Sequence, residues 1–173
     1  MAKIKFLLHS DTLTRGASTN AESICTYLKT LFDIESIIVA PKSSSSNCDV
    51  RIQDMVSRGL PVRLYRDYSD LKRIAEVESI SHSYFLTSGQ YSNLWIPGTK
   101  HLVHAVFNWF EPHGDVYAYV SNWLFNKALT DKRGRNKLQI DLVGEQTHNP
   151  YRLDFNTRVT WVPHTVVTHQ GNG

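Results

Sequence analysis

The side chains able to act on a ligand are concentrated in one stretch, Lys100–Leu124, KHLVHAVFNWFEPHGDVYAYVSNWL. It holds His101, His104 and His113, the carboxylates Glu111 and Asp115, and the aromatics Trp109 and Phe110. Imidazole beside carboxylate suits general acid–base chemistry, provided the surroundings push the two pKa values apart. Glu111 follows two large aromatics, which fits a partly buried group and equally fits a solvated surface carboxylate. Trp109 can stack on a sugar ring or fill the core. His104 reads as a hydrogen-bonding group near the end of its strand, with a satisfied core histidine as the alternative. No metal is expected. His101 and His104 are three apart on an extended segment and point to opposite faces, so at most one can join His113. Cys25 and Cys48 form no close pair that would suggest zinc or a disulfide framework.

A second candidate lies in the first loop, Thr14-Arg15-Gly16-Ala17-Ser18-Thr19. Backbone N–H groups and a helix dipole there favour an anionic or hydroxyl-rich ligand, and glycine lets it come close. Arg15, Gly16 and Ala17 are the candidate contacts. The alternative is an ordinary turn with Ser18 or Thr19 as helix N-cap. Neither G-x-G-x-x-G nor G-x-x-x-x-G-K-[ST] occurs, which removes the main support for a dinucleotide fold or a P-loop. In the later loop Asn108 and Trp109 are candidate ligand contacts, and Ser121 stands where a helix N-cap belongs.

The elements that must position these groups follow from periodicity. Lys3–His9, Glu35–Ala40, Pro61–Tyr65, Ser83–Thr87, His101–Phe107, Asp115–Val120 and Thr157–Val162 read as strands. Asn20–Phe32, with Ile24, Leu28, Leu31 and Phe32 on one stripe, reads as a helix, as do Val50–Ser57, a segment from Asp67–Ser69 to Val77, and Asn122–Leu129. Gly89–Trp95 is a loop or a single helical turn, and residues 131–156 an irregular excursion. Continuous apolar strands alternating with helices predict an α/β fold with a doubly wound, mainly parallel, Rossmann-like sheet. Ligands of such sheets bind beyond the carboxyl ends of the strands. The loops Ser10–Thr19, Ser88–Tyr91 and Asn108–Gly114 are all expected at that rim.

The 173 residues predict one domain over 1–167, with 168–173 as the start of a linker. A composition of 41% hydrophobic and 20% charged residues is that of a globular chain. Nineteen basic against sixteen acidic residues leave +3, too little to predict nucleic-acid binding. Lys132, Arg133, Arg135 and Lys137 read as a solvated run, with phosphate or lipid headgroups as the other reading. No apolar run approaches the roughly 20 residues of a membrane span, and the start lacks a signal sequence. A soluble, cytoplasmic protein, with peripheral membrane contact left open, is the expectation.

As a set, KFLLHSDTLTRGAST, LVHAVFNWFEPHGDVYAYVSNWL and TRVTWVPHTVV resemble the N-terminal domain of GT-B-fold glycosyltransferases, in particular the family-4-like retaining group. The resemblance implies half of an enzyme that moves a sugar, of hexosyltransferase type, from a nucleotide-sugar donor to a carbohydrate or glycoconjugate acceptor. No cofactor is implied. A C-terminal domain absent from this sequence would hold most nucleotide contacts, so the domain alone would be inactive or nearly so. Gly16 matches the loop glycine near the donor diphosphate, and His104 the strand-end histidine that touches the transferred sugar. Ser121-Asn122-Trp123 matches the capped helix, and Val162-Pro163-His164-Thr165-Val166 the exit toward the second domain. Glu111 and His113 would shape or polarise the acceptor pocket. The family's usual glycine pair is Gly16-Ala17 here. Two other readings stand beside this one: a non-catalytic glycan- or partner-binding module of the same fold, and a flavodoxin-like cofactor binder.

Overall fold

The structure, a computed structural model, describes residues 3–14, 16–44, 49–92, 94–107, 109–130 and 157–163. Arg15, Asn108, the basic run, the excursion at 131–156 and the exit and linker residues from His164 onward lie outside them. The chain is α/β, and all the strand pairings described are parallel. It divides into two compact units, residues 1–81 and 82–163. The fold is doubly wound, and within each unit the strands lie side by side in chain order. Among the described residues no helix is long and apolar enough to cross a membrane.

In the first unit β1 (Lys5–His9) pairs with β2 (Glu35–Pro41), and β2 with β3 (Val62–Tyr65). Leu7 and Leu8, and the run Ile37–Ala40, are buried at consecutive positions, so both faces are covered, as a parallel sheet requires. Two helices connect these strands, α1 (Gly16–Phe32) and α2 (Asp49–Ser57), and a third, α3 (Tyr68–Val77), follows β3. Asp67 caps α3 by accepting from Asp70 N–H at 2.9 Å, while the Asp70 carboxylate accepts from Arg66 N–H at 3.0 Å. The two bonds satisfy backbone donors on both sides of the helix start.

Helix α1 differs from expectation in two ways. It begins at Gly16, so Gly16 and Ala17 belong to its first turn and not to a loop. Its buried residues are Ser18, Asn20, Ala21, Glu22, Ser23 and Cys25, all in its first ten positions, whereas Leu31 and Phe32 are two-thirds exposed. Length accounts for the second difference. Seventeen residues make a helix of about 25 Å, against about 17 Å for the five-residue β1, so the last turn overshoots the sheet. The buried Glu22 carboxylate is bound by Arg51 and by Arg58, the latter at 2.7 Å, which ties α2 to α1.

The second unit holds β4 (His82–Thr87), β5 (Lys100–Ala105), β6 (Val116–Tyr119), α4 (Asn122–Thr130) and β7 (Arg158–Trp161). Strand β5 ends at Ala105, two residues before the expected limit; Val106 and Phe107 bend away, and Phe107 is 58% exposed. Register places Val103 beside Tyr117 and Ala105 beside Tyr119 on one face, over which Leu124 and Ala128 of α4 also pack. His104 and Tyr84 lie on the opposite face.

The connection from β5 to β6 corrects the expected layout most. A parallel return usually takes a dozen or more residues and a helix. Here it takes the ten residues 106–115, none helical where described. They cross the sheet face as a strap that ends beside the start of β5. There Asp115 N–H donates to His101 O at 2.8 Å, and Asp115 Oδ2 accepts from His101 N–H at 2.7 Å. Glu111, His113 and Gly114 therefore do not all sit at the carboxyl rim. Gly114 (φ +80°) lies so close to β5 that a Cβ would stand 2.9 Å from His101 O and 2.8 Å from the imidazole. Gly59 has nearly the same φ, +79°, with open space around it. Gly114→Ala is expected to destabilise by about 3 kcal/mol, the sum of backbone strain and overpacking. Gly59→Ala should show only the strain, about 1–2 kcal/mol. Urea denaturation of the two variants checks the difference; equal losses would remove the close approach at Gly114.

Candidate functional site

The strap is held by side chains, because its backbone has no ladder to join. Tyr119 Oη donates to Trp109 O at 2.6 Å, and Tyr117 Oη to Gly89 O at 2.5 Å and Trp109 O at 3.0 Å. A phenol has one proton, so Tyr117 serves chiefly the shorter contact and Tyr119 holds Trp109. Burial raises both phenols well above the usual tyrosine range, so they remain donors. Gly89 (φ +99°) must be glycine, since a Cβ would meet the Tyr117 hydroxyl at 2.7 Å. Further along, Glu111 Oε2 accepts from Tyr91 N–H at 2.9 Å, which joins the strap to the loop after β4.

These anchors leave Trp109 with its carbonyl buried among phenols and its residue 40% exposed. Its backbone is pinned while the residue is open to solvent. Gln90, near the same loop junction, is exposed as well.

The hydrogen bonds under the strap also settle which nitrogen of each histidine carries the proton. Thr99 Oγ1 donates to Ile96 O at 2.9 Å. It therefore accepts from Ser83 Oγ at 2.8 Å, and Ser83 in turn accepts from His101 Nδ1 at 2.8 Å. His101 is thus the Nδ1–H tautomer. His113 Nδ1 lies 2.6 Å from Glu111 O, a carbonyl that can only accept, so it too is Nδ1–H. Each neutral ring keeps an unprotonated Nε2, and the ring centroids are 6.5 Å apart. Burial pushes the His101 pKa down to about 4, the neighbouring His113 adding to the effect, and burial lowers His113 as well. Both are proton acceptors at neutral pH. Among the described residues no group of three His, Cys, Asp or Glu side chains is placed to hold a metal.

His104 has a different environment. It is 2% exposed, its Nε2–H donates to Val162 O at 2.8 Å, and its Nδ1 faces the Tyr84 hydroxyl. A ligand could take either nitrogen only by breaking one of these bonds. Ser121 Oγ accepts from Leu124 N–H at 3.1 Å and is the N-cap of α4. Asp115, held low in pKa first by its bond from His101 N–H and also by Lys100, is an ionised clamp at the start of β6. In the first unit α1 starts at Gly16, has no carboxylate in its first turn, and is open there: a Cβ on Gly16 would meet nothing within 4 Å.

The structure therefore brings Trp109, Glu111 and His113 together on the strap and keeps His104 on the other face of the same sheet. Tyr91, Tyr117, Tyr119 and the Ser83–Thr99–His101 relay were not among the candidates. The period-two spacing of Tyr117 and Tyr119 beneath a short parallel connection was the available signal. No protein-family model, curated protein or solved structure matches the chain.

The two lowered imidazoles set a pH dependence. Below about pH 6.5 the unfolded chain takes up protons that the folded chain refuses until about pH 4. Stability from His101 is full above that window and falls through it by about 1.4 kcal/mol per pH unit, and the lowered His113 acts in the same direction. His101→Asn, whose amide N–H can replace the bond to Ser83, is expected to make the fall shallower. Urea midpoints between pH 7.5 and 4.5 measure this; parallel curves for variant and wild type would exclude His101.

Proposed function

We propose that the chain is the acceptor-side half of a glycosyltransferase that moves a sugar from a nucleotide sugar to a carbohydrate hydroxyl. The observation carrying the reading is Trp109, exposed on the strap while Tyr119 holds its carbonyl. A sugar ring stacked on an immobile indole gives up little freedom beyond its own, which is what preorganisation contributes to affinity. The doubly wound parallel architecture and the carboxylate-free, unobstructed start of α1 at Gly16 also support it, since backbone N–H groups at a helix start favour a diphosphate.

In this reading Trp109 holds the acceptor, the buried His113 shapes the strap beneath it, and the acceptor proton passes to the departing diphosphate as the hydroxyl oxygen bonds to the anomeric carbon. The bond from that carbon to the diphosphate breaks, and the leaving charge is met by the second half of the enzyme. His104 is a positioning residue that ties the end of β5 to Val162, just beyond β7. The resemblance gives it the contact to the transferred sugar, but both of its nitrogens are engaged, by Val162 O and the Tyr84 hydroxyl.

Those same inward-turned histidines favour one second reading, a glycan-binding module without catalysis. Calorimetric titration of the chain with UDP- and GDP-sugars and with oligosaccharides separates the two. The transferase reading expects nucleotide-sugar binding that Gly16→Ala weakens without lowering stability, because alanine suits a first helical turn. It also expects Trp109→Ala to weaken oligosaccharide binding by about tenfold, the loss of one stacking contact. Oligosaccharide binding alone would leave the module. Binding of neither ligand overturns both.

A further inference from the structure

We propose that Trp95 is a second stacking residue on the face that carries Trp109, and that the ligand reaching both is a neutral, extended oligosaccharide. The inference rests on the reading of Trp109 as a sugar contact and adds to it the length of the sugar chain. Residues 88–99, between β4 and β5, form a second connection with no helix where described. It brings Trp95 against His101 near the start of β5, with ring centroids 5.7 Å apart. Trp109 is held by its carbonyl from Tyr119, which lies beside Ala105 at the other end of that strand. His101, Ala105 and Tyr119 share one face of the sheet. Four residues at about 3.3 Å each set the two attachments about 13 Å apart, a distance that no single six-membered ring spans.

Both indoles stand in solvent on a held backbone. Trp95 is 46% exposed and Trp109 40%. On one side of Trp95, Ser92 Oγ accepts from Leu94 N–H at 3.0 Å. On the other, Ile96 is buried, and its carbonyl accepts from Thr99 N–H at 3.3 Å and from Thr99 Oγ1 at 2.9 Å. Between the two attachments lies the half-buried Tyr91, its ring 5.1 Å from His113, which is 6.5 Å from His101 and 5.6 Å from Tyr117. The chemistry of the connection selects the ligand. Residues 88–99 contain no Asp, Glu, Lys, Arg or His, and the exposed Gln90 offers an amide that both donates and accepts. Lys100 and Asp115, at the foot of β5, neutralise each other at 3.2 Å. Aromatic faces interleaved with uncharged hydrogen-bonding groups suit a neutral polyhydroxylated chain. A nucleic acid or other polyanion would call for cations that these residues do not supply.

The test is calorimetric titration of the full chain with malto-, cello- and N-acetylchito-oligosaccharides, from disaccharide to hexasaccharide. In the series that binds, affinity should rise at least about tenfold along the series, the addition of one stacking contact. Trp95→Ala should abolish the rise, so that the hexasaccharide binds as weakly as the disaccharide. Trp95→Phe, which keeps a ring, should restore most of it. Trp109→Ala should weaken binding at every length. The proposal is overturned, and the reading of Trp109 left standing, if disaccharide and hexasaccharide bind equally well or if Trp95→Ala binds the hexasaccharide like the wild type. Binding of no oligosaccharide overturns both. The proposal also falls if sedimentation shows a dimer that Trp95→Ala dissociates and that no oligosaccharide displaces, which would assign the indoles to a second copy of the chain.

Discussion

The second unit depends on a ten-residue return between parallel strands that has no room for a helix. A helix would satisfy its own backbone groups; an extended strap crossing a sheet face cannot. Its carbonyls and N–H groups must find side chains, and Tyr117, Tyr119 and His113 supply several of them, while the Glu111 carboxylate reaches out to Tyr91 N–H. Buried phenols and a buried carboxylate are tolerable here because each has a partner. One constraint of chain length thus explains why a parallel sheet carries so polar an interior on one face.

The same anchoring makes a rigid platform. Loops ordinarily trade precision for adaptability, and sites built on them need a supporting shell. The Trp109 carbonyl is held from below while the residue stays partly in solvent. Beneath it the Ser83–Thr99–Ile96 relay fixes His101 in one tautomer, and the Glu111 carbonyl fixes His113 in the matching one. Electrostatics then follow from packing. The rings are lowered in pKa chiefly because they are buried, not because a cation lies nearby.

The first unit solves a different problem. Its strands are covered by helices that satisfy their own backbones, so its polar side chains are free to pair with one another across elements. The Glu22–Arg51–Arg58 cluster is one result. Where α1 overshoots β1, covering fails and a cavity remains between helix and strand starts. Close packing by the small residues Ser18 and Ala21 lets the front of α1 lie near the sheet, while its far end leaves Leu31 and Phe32 in solvent.

Strand positions, their burial on both faces, the Asp67 and Ser121 caps and the α/β class were all legible in the chain, because local period and capping chemistry are properties of neighbouring residues. The opposite orientation of His101 and His104 was legible for the same reason. What the sequence could not show was the path of residues 106–115. Pro112 and Gly114 announce a break but not a direction, and whether a loop stays at the rim or crosses a face depends on where the next strand pairs. Register put Tyr117 and Tyr119 under that path, gave His104 to Tyr84 and Val162, and brought Asp115 back to His101. Strand pairing joins residues far apart in the chain, so it is decided only when the whole sheet has formed.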